Sequence, residues 1–229
     1  MATITNYQTP YNKIKPRIKG PYTFIYLIRH CQPDPSDKNK IGEMKMPLSV
    51  VGRKQRDCLN KKLLSIKIDK IYASESRRAQ ETAEVFAKRI NKKIIIDKRL
   101  NEIDWQKWYK IKYFNMSEQE RIKKFVHYQQ LNKQLDRMQA GVRRLIADIY
   151  FQNKGKKIAV FSHGNLIKAI ITSILDADII GFLSVEIYQS SISKIVIDKD
   201  GYIKINYINS ICHLPHQPEE DLFHSAINQ

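Results

Sequence analysis

Residues 22–28, Tyr-Thr-Phe-Ile-Tyr-Leu-Ile, form an unbroken run of apolar, aromatic and β-branched side chains that stops at polar residues, the pattern of a strand buried on both faces. A helix pattern follows from about residue 49, with Ser49 as N-cap and Leu59, Leu63 and Leu64 along it, and residues 69–73 read as a second strand. Residues 77–90 place Ala79, Ala83, Phe86 and Ile90 on one helical face, before the strand 93–97. Ser117 and Glu120 have capping-box spacing, and helix-compatible sequence continues to about Tyr150 with a break expected near Asn132. A buried strand at 156–161 then leads into an apolar helix at 164–175. The last third changes character: 185–190, 193–198 and 202–209 read as strands, with a hairpin at Asp198-Lys-Asp-Gly201. Without an internal repeat or a domain-sized linker, this order predicts an α/β fold: one domain, a three-layer α/β/α sandwich with a mostly parallel central sheet.

Composition narrows the class. A chain of 229 residues with 42% hydrophobic content is long enough to bury one core. Residues 1–20 and 215–229 are polar and lack apolar periodicity, so they read as tails around a domain at 21–214. No stretch approaches the roughly 20 apolar residues of a membrane span, and residues 1–20 contain no apolar signal core. A soluble cytoplasmic protein is expected, with no membrane partner. Cys31, Cys58 and Cys212 form neither an even disulfide framework nor a zinc-ligand pair, which fits a reducing compartment. Forty Lys and Arg against 23 Asp and Glu give a formal charge of +17, which speeds association with anions but names no partner. The basic residues are spread along the chain, so a solvated surface is favoured over a specific nucleic-acid groove. The apolar carboxy-terminal strands can contribute an interface, but the sequence sets no oligomeric state.

In open α/β sheets, ligands bind beyond the carboxyl ends of the strands. Two strands end in suggestive residues: one delivers Arg29 and His30, the other Ser162, His163 and Gly164 at the start of a helix. Arginine gives phosphate bidentate, charge-assisted hydrogen bonds, and a neutral imidazole can attack phosphorus. A histidine at a strand end can equally be a hydrogen-bonded structural residue, so these residues alone leave both roles open.

The motifs settle on a resemblance. Leu27-Ile-Arg-His-Cys-Gln32 resembles the Arg-His-Gly signature of the histidine phosphatase superfamily, which includes the cofactor-dependent phosphoglycerate mutases. Pro47-Leu-Ser-Val-Val-Gly-Arg-Lys-Gln55, the block from Ile71 through Ser74, Glu75, Ser76, Arg77 and Arg78 to Ala83, Arg99-Leu-Asn-Glu102 and Phe161-Ser-His-Gly-Asn165 are similar to further blocks of that family, in its order. Asn209-Ser-Ile-Cys-His-Leu214 is a weaker match to its terminal strand. The resemblance implies a phosphoglycerate mutase-like fold, with 103–155 as a helical cap segment. It also implies His30 as the phosphorylated nucleophile, Arg29, Arg78 and His163 as the electropositive phosphate pocket, and Glu102 as acid and base. Asp104 is the acidic alternative to Glu102, and Asn165 would orient His163 or offer its backbone N–H to phosphate. No metal and no cofactor would be needed, because the pocket supplies the positive charge itself.

Three positions depart from the family pattern. Cys31 stands where the family most often has glycine and is expected to be an inert small residue, with a reactive thiol as the alternative. Glu75 and Ser76 replace the commoner proline-containing pair and put a negative charge near the pocket. The segment after Glu102 is shorter than in the mutases and carries Trp105, Trp108, Tyr109, Tyr113 and Phe114 near its start, residues that can stack on a leaving group or belong to the core. A phosphatase acting on a small organic phosphate is therefore expected, with a phosphoprotein as a lesser candidate. Mutase-type transfer, or a catalytically weak anion-binding protein, is the alternative. Gln55 is expected on a helix surface, Arg77 in solvent, and Ser162 either near phosphate or supporting the turn.

Overall fold

The alternation of side chains along the strands decides the architecture. The computed structural model describes residues 18–36, 38–103 and 117–215, without the side chains of 38 and 121–128. At its centre, β1 (Thr23–Arg29) pairs in parallel with β4 (Lys157–Ser162), which pairs in parallel with β2 (Lys70–Ala73), which pairs in parallel with β3 (Ile94–Ile96). On its other edge β1 meets β5 (Ile192–Ile197) antiparallel, and β5 meets β6 (Ile203–Ser210) antiparallel. The result is a six-stranded sheet in the order β3-β2-β4-β1-β5-β6.

Neighbouring residues on the central strands serve opposite layers. Ile25, Leu27, Ile158 and Val160 pack in one cluster with α4 (Glu118–Gln152), α5 (Gly164–Leu175) and α6 (Ile179–Ser184). Tyr26, Ile28, Ala159 and Phe161 pack in a second with α2 (Val50–Leu64) and α3 (Arg77–Arg89). The expected three-layer sandwich is therefore present, with a continuous apolar run where a strand is covered on both faces. A short α1 (Lys38–Ile41) and a 3-10 turn (Glu43–Lys45), joined through Gly42 at φ 77°, connect β1 to α2.

Local signals place the helices. Ser49 caps α2 by accepting the Gly52 N–H at 2.9 Å. Ser117 and Glu120 form the anticipated capping box at the start of α4. The expected break near Asn132 does not occur: α4 is continuous over 35 residues. Asn132 instead turns its side chain outward, where its Oδ1 accepts the Ile179 N–H at 2.9 Å at the start of α6. Asp178, the N-cap of α6, accepts from Gly181 N at 3.0 Å. From Leu131 to Tyr150, α4 contributes buried residues to the core layer over the sheet.

The strand expected at 185–190 is also absent. Two of its backbone donors are taken by side chains, Ile187 N by Glu186 Oε1 at 3.2 Å and Tyr188 N by Asn209 Oδ1 at 2.6 Å, while Ser190 N donates to His30 O at 3.2 Å and Ser190 adopts φ 66°. No ladder forms where side chains hold the backbone. The hairpin at Asp198 to Gly201 forms as anticipated, with Asp198 Oδ1 accepting from Asp200 N and Tyr202 N. Among the described residues no helix is long and apolar enough to cross a membrane. Most of the tails, residues 1–17 and 216–229, lies outside the described residues, as do Asp104, Trp105, Trp108, Tyr109, Tyr113 and Phe114.

Phe86 is fully buried between α3 and the sheet. Phe86→Ala is expected to cost about 3–5 kcal/mol in urea unfolding, whereas Ile96→Ala, at a side chain 45% exposed on β3, should stay within about 0.5 kcal/mol. Equal losses at the two positions would contradict the layer assignment.

Candidate active site

Parallel pairing in register brings the site together. Arg29 on β1 opposes Ser162 on β4, so the next residues, His30 and His163, leave the sheet side by side. The His30 N–H donates to Ser162 O at 2.9 Å, and the two imidazoles meet edge to face, with centroids 5.0 Å apart.

The hydrogen bonds assign a tautomer to each ring. His30 Nδ1 lies 2.8 Å from Cys31 O; a carbonyl only accepts, so Nδ1 carries the proton and Nε2 presents its lone pair. Arg78 Nε donates to that Nε2 at 3.2 Å. His163 Nδ1 accepts from Arg78 Nη2 at 3.3 Å, and its Nε2 donates to Ser74 Oγ at 2.8 Å with Ser76 Oγ at 3.3 Å. One buried guanidinium thus binds both rings. Burial first, then the neighbouring cationic groups, holds both histidines well below their ordinary pKa. At neutral pH they are uncharged.

Arg78 sits at the start of α3 and is 3% exposed. Its Nη1 donates to Glu43 O at 2.7 Å, and its Nη2 lies 3.3 Å from Glu43 Oε1. Each terminal nitrogen that would grip a phosphate oxygen already has a partner, one of them a carboxylate. Arg77, by contrast, is exposed and pairs with Glu81 at 2.6 Å, as expected.

Arg29 Nη1 donates to Ile187 O. Gly164 leaves room for this side chain, since a Cβ there would stand 3.2 Å from Arg29 Cζ and Nε. Glu102 follows the 3-10 turn at Lys98–Leu100. Its Oε1 accepts Ile103 N at 2.9 Å, and its Oε2 faces Asn165 N at 3.5 Å. Burial raises the pKa of Glu102 against those bonds and against the charges of Arg29 and Arg78. The fold therefore gathers Arg29, His30, Arg78, Glu102, His163 and Asn165 at one end of the sheet. Asn165 turns its N–H to Glu102 rather than to an open phosphate position.

Several contributors escaped the sequence reasoning. Ser74, Ser76 and Glu43 touch the functional side chains directly, and Thr82 anchors the loop after β1 by accepting Cys31 N at 3.0 Å. Ser and Thr within the matched blocks, and an acid next to Gly42, were the available signals. Gln55 is not a free surface residue: it accepts Gln32 N at 2.9 Å and pins the same loop. Gly52 packs where a Cβ would fall 2.0 Å from Gln32 O, so only glycine admits α2 this close. Ser162 supports the Glu102 loop by donating to Leu100 O at 2.8 Å. Cys31 is fully buried and its thiol is pushed up to about 12 by burial, which the hydrogen bonds of Ser190 and Thr82 and the charge of Arg56 do not offset; this favours the inert residue over the reactive-thiol alternative. Among the described residues no group of three or more His, Cys, Asp or Glu side chains is placed to hold a metal ion.

Comparison with known proteins gives the family and the fold. Residues 25–210 match the family model of the histidine phosphatase superfamily (branch 1). The chain is 22% identical over 200 residues to "Putative phosphoserine phosphatase 2" of Hydrogenobacter thermophilus, covering 82% of this chain and 96% of that protein. It is 27% identical over 205 residues to the mitochondrial serine/threonine-protein phosphatase Pgam5 of Drosophila sechellia, covering 83% of this chain but only 64% of that protein. A phosphoserine phosphatase mutant from Entamoeba histolytica, solved with phosphoserine, shares the fold, with a TM-score of 0.63, 22% identity, and coverage of 84% of this chain and 99% of that one.

Glu43 competes with any anion for Arg78. Glu43→Gln is expected to tighten inorganic phosphate binding about threefold, the scale of a partly exposed ion pair, measured by calorimetry; weaker binding would mean that the carboxylate orients Arg78 rather than competing for it. The neutral histidines also set a pH dependence. Above about pH 7 the folded and unfolded chains are both neutral at these rings and the full stability is present; as pH falls below about 6.5 the unfolded chain gains protons that the folded one refuses, costing about 1.4 kcal/mol per ring per pH unit. Glu102, with its raised pKa, acts in the opposite sense. Melting temperatures should therefore fall between pH 7.5 and 5.5, and less steeply in His163→Asn; identical slopes would remove His163 from this account.

Proposed function

The chain belongs to the histidine phosphatase superfamily, and from that membership we propose that it hydrolyses phosphomonoesters through a phosphohistidine on His30, without a metal ion. The observation that carries this proposal is the bond from His30 Nδ1 to Cys31 O, which leaves Nε2 as an unprotonated nucleophile inside a pocket of two arginines.

An arriving phosphate ester offers acceptors that replace His30 Nε2 and Glu43 around Arg78, and Arg29 and Arg78 then grip the equatorial oxygens. His30 Nε2 attacks in line, the Nε2–P bond forms and the P–O ester bond breaks. Glu102, whose pKa is raised by burial, gives its proton to the leaving alkoxide. The Nδ1–H bond to Cys31 O holds the ring in the same tautomer throughout. Water then attacks phosphorus, Glu102 takes the proton of that water, the Nε2–P bond breaks and inorganic phosphate leaves. His163 orients Arg78 through the bond its Nδ1 accepts from Nη2, while its Nε2–H stays with Ser74.

The names of the relatives support a small organic phosphate, a phosphoserine-like ester foremost, as substrate; the fly protein's name supports phosphorylated protein as a second class. Free Cys31, Cys58 and Cys212 support the cytoplasm as the site of action.

Chelator-treated wild type should hydrolyse p-nitrophenyl phosphate, and His30→Ala should lose about a thousandfold or more in kcat. Glu102→Gln should slow alkyl phosphates about a hundredfold while sparing p-nitrophenyl phosphate, whose leaving group needs little protonation. Undiminished turnover in His30→Ala would refute the phosphohistidine route.

A further inference from the structure

Among the described residues, one buried cation takes no part in the proposed mechanism. Lys168 is 5% exposed on α5, among the apolar residues Leu166, Ile167, Ala169 and Ile170. An ammonium in such a layer is costly unless paired. Burial lowers its pKa, opposed by Glu186, whose Oε2 lies 3.4 Å from Lys168 Nζ. The other oxygen of Glu186 accepts Ile187 N at 3.2 Å, and Ile187 O in turn receives Arg29 Nη1. A continuous path therefore runs from Lys168 through Glu186 and the Ile187 peptide to the guanidinium of the proposed phosphate pocket.

We propose that Lys168 is a positioning residue, acting through Glu186 to hold the Ile187 carbonyl against Arg29 and so to aim that guanidinium at the phosphoryl group. The need for such an anchor follows from the fold. The segment at 185–190 has no strand ladder, and the backbone N–H groups of Ile187 and Tyr188 are held by the side chains of Glu186 and Asn209. Glu186 has a side chain 38% exposed, so without Lys168 it gains more from water than from the interior. The Ile187 carbonyl then loses its fixed position, and Arg29, bounded on its other side by Gly164, loses its direction.

This inference rests on Arg29 being a phosphate ligand, and the test separates the two. The full chain is titrated with inorganic phosphate and assayed with p-nitrophenyl phosphate as wild type, Lys168→Met, Lys168→Arg, Glu186→Ala and the Met/Ala double variant. Lys168→Met and Glu186→Ala should each weaken phosphate binding about tenfold and raise KM by a similar factor, with kcat changed less than about threefold, and the double variant should be no worse than either single. Lys168→Arg should restore affinity to within about twofold of wild type. A direct charge effect of Lys168 predicts tighter phosphate binding in Glu186→Ala, and that result overturns the relay. Unchanged affinity in Lys168→Met with a lowered melting temperature also overturns it, marking a merely structural lysine. Should Lys168→Met fail to fold, Glu186→Ala alone decides. Phosphate binding without turnover in wild type removes the phosphatase proposal while the affinity series still judges Lys168; no phosphate binding at all removes both.

Discussion

Two arginines and two histidines converge beyond β1 and β4, and the surrounding loops hold them together. Desolvation keeps both rings neutral, which leaves the repulsion to the two guanidiniums. The arginines are then satisfied mostly by dipoles: Arg29 by the Ile187 carbonyl, Arg78 by the Glu43 carbonyl and two imidazole nitrogens, with the carboxyl groups of a largely exposed Glu43 and a buried Glu102 nearby. Dipoles orient a cation without neutralising it. The carbonyls that hold the two guanidiniums come from connecting segments rather than from strands.

The loop bearing Glu102 shows how the acid is held in place. Asn101 exchanges two hydrogen bonds with Glu75, accepting from its N–H at 3.0 Å and donating to its carboxylate at 2.8 Å. Ser162 takes Leu100 O, and Arg99 spans Asp97 and Asp148 of α4. In sequence, Glu75 looked like an unfavourable charge beside an anion site. In the structure its carboxylate is directed to Asn101, so it steadies the neighbour of Glu102, the proposed general acid, and keeps its charge at the surface.

The layers were legible because apolar periodicity reports burial directly: the run at 22–28 and the faces of 77–90 have no other physical use. Caps and the Asp198 hairpin were legible for the same local reason. What failed was what depends on distant partners. Asn132 resembles a helix breaker until Ile179 arrives to receive its side chain, and 185–190 resembles a strand until Asn209 and Glu186 take its backbone. Within the site, residues with unmistakable chemistry stood out from the motif blocks, whereas Glu43, Ser74 and Gln55 are ordinary polar residues whose value comes from what lies within about 3 Å of them.

Ser76 illustrates a broader point. As N-cap of α3 it has the residue type and backbone geometry to accept a helix N–H, yet it makes no such bond, and its hydroxyl instead faces Ser74 and His163. A cap of this kind is worth about 1 kcal/mol. The chain carries that local conflict at the first turn of the helix that delivers Arg78, and nowhere does a comparable cap on α2 or α4 go unused. Local frustration of this sort is uncommon in a sequence otherwise consistent across levels. It marks, from energetics alone and without reference to any motif, a place where the chain gives up a local helix bond for a contact with His163.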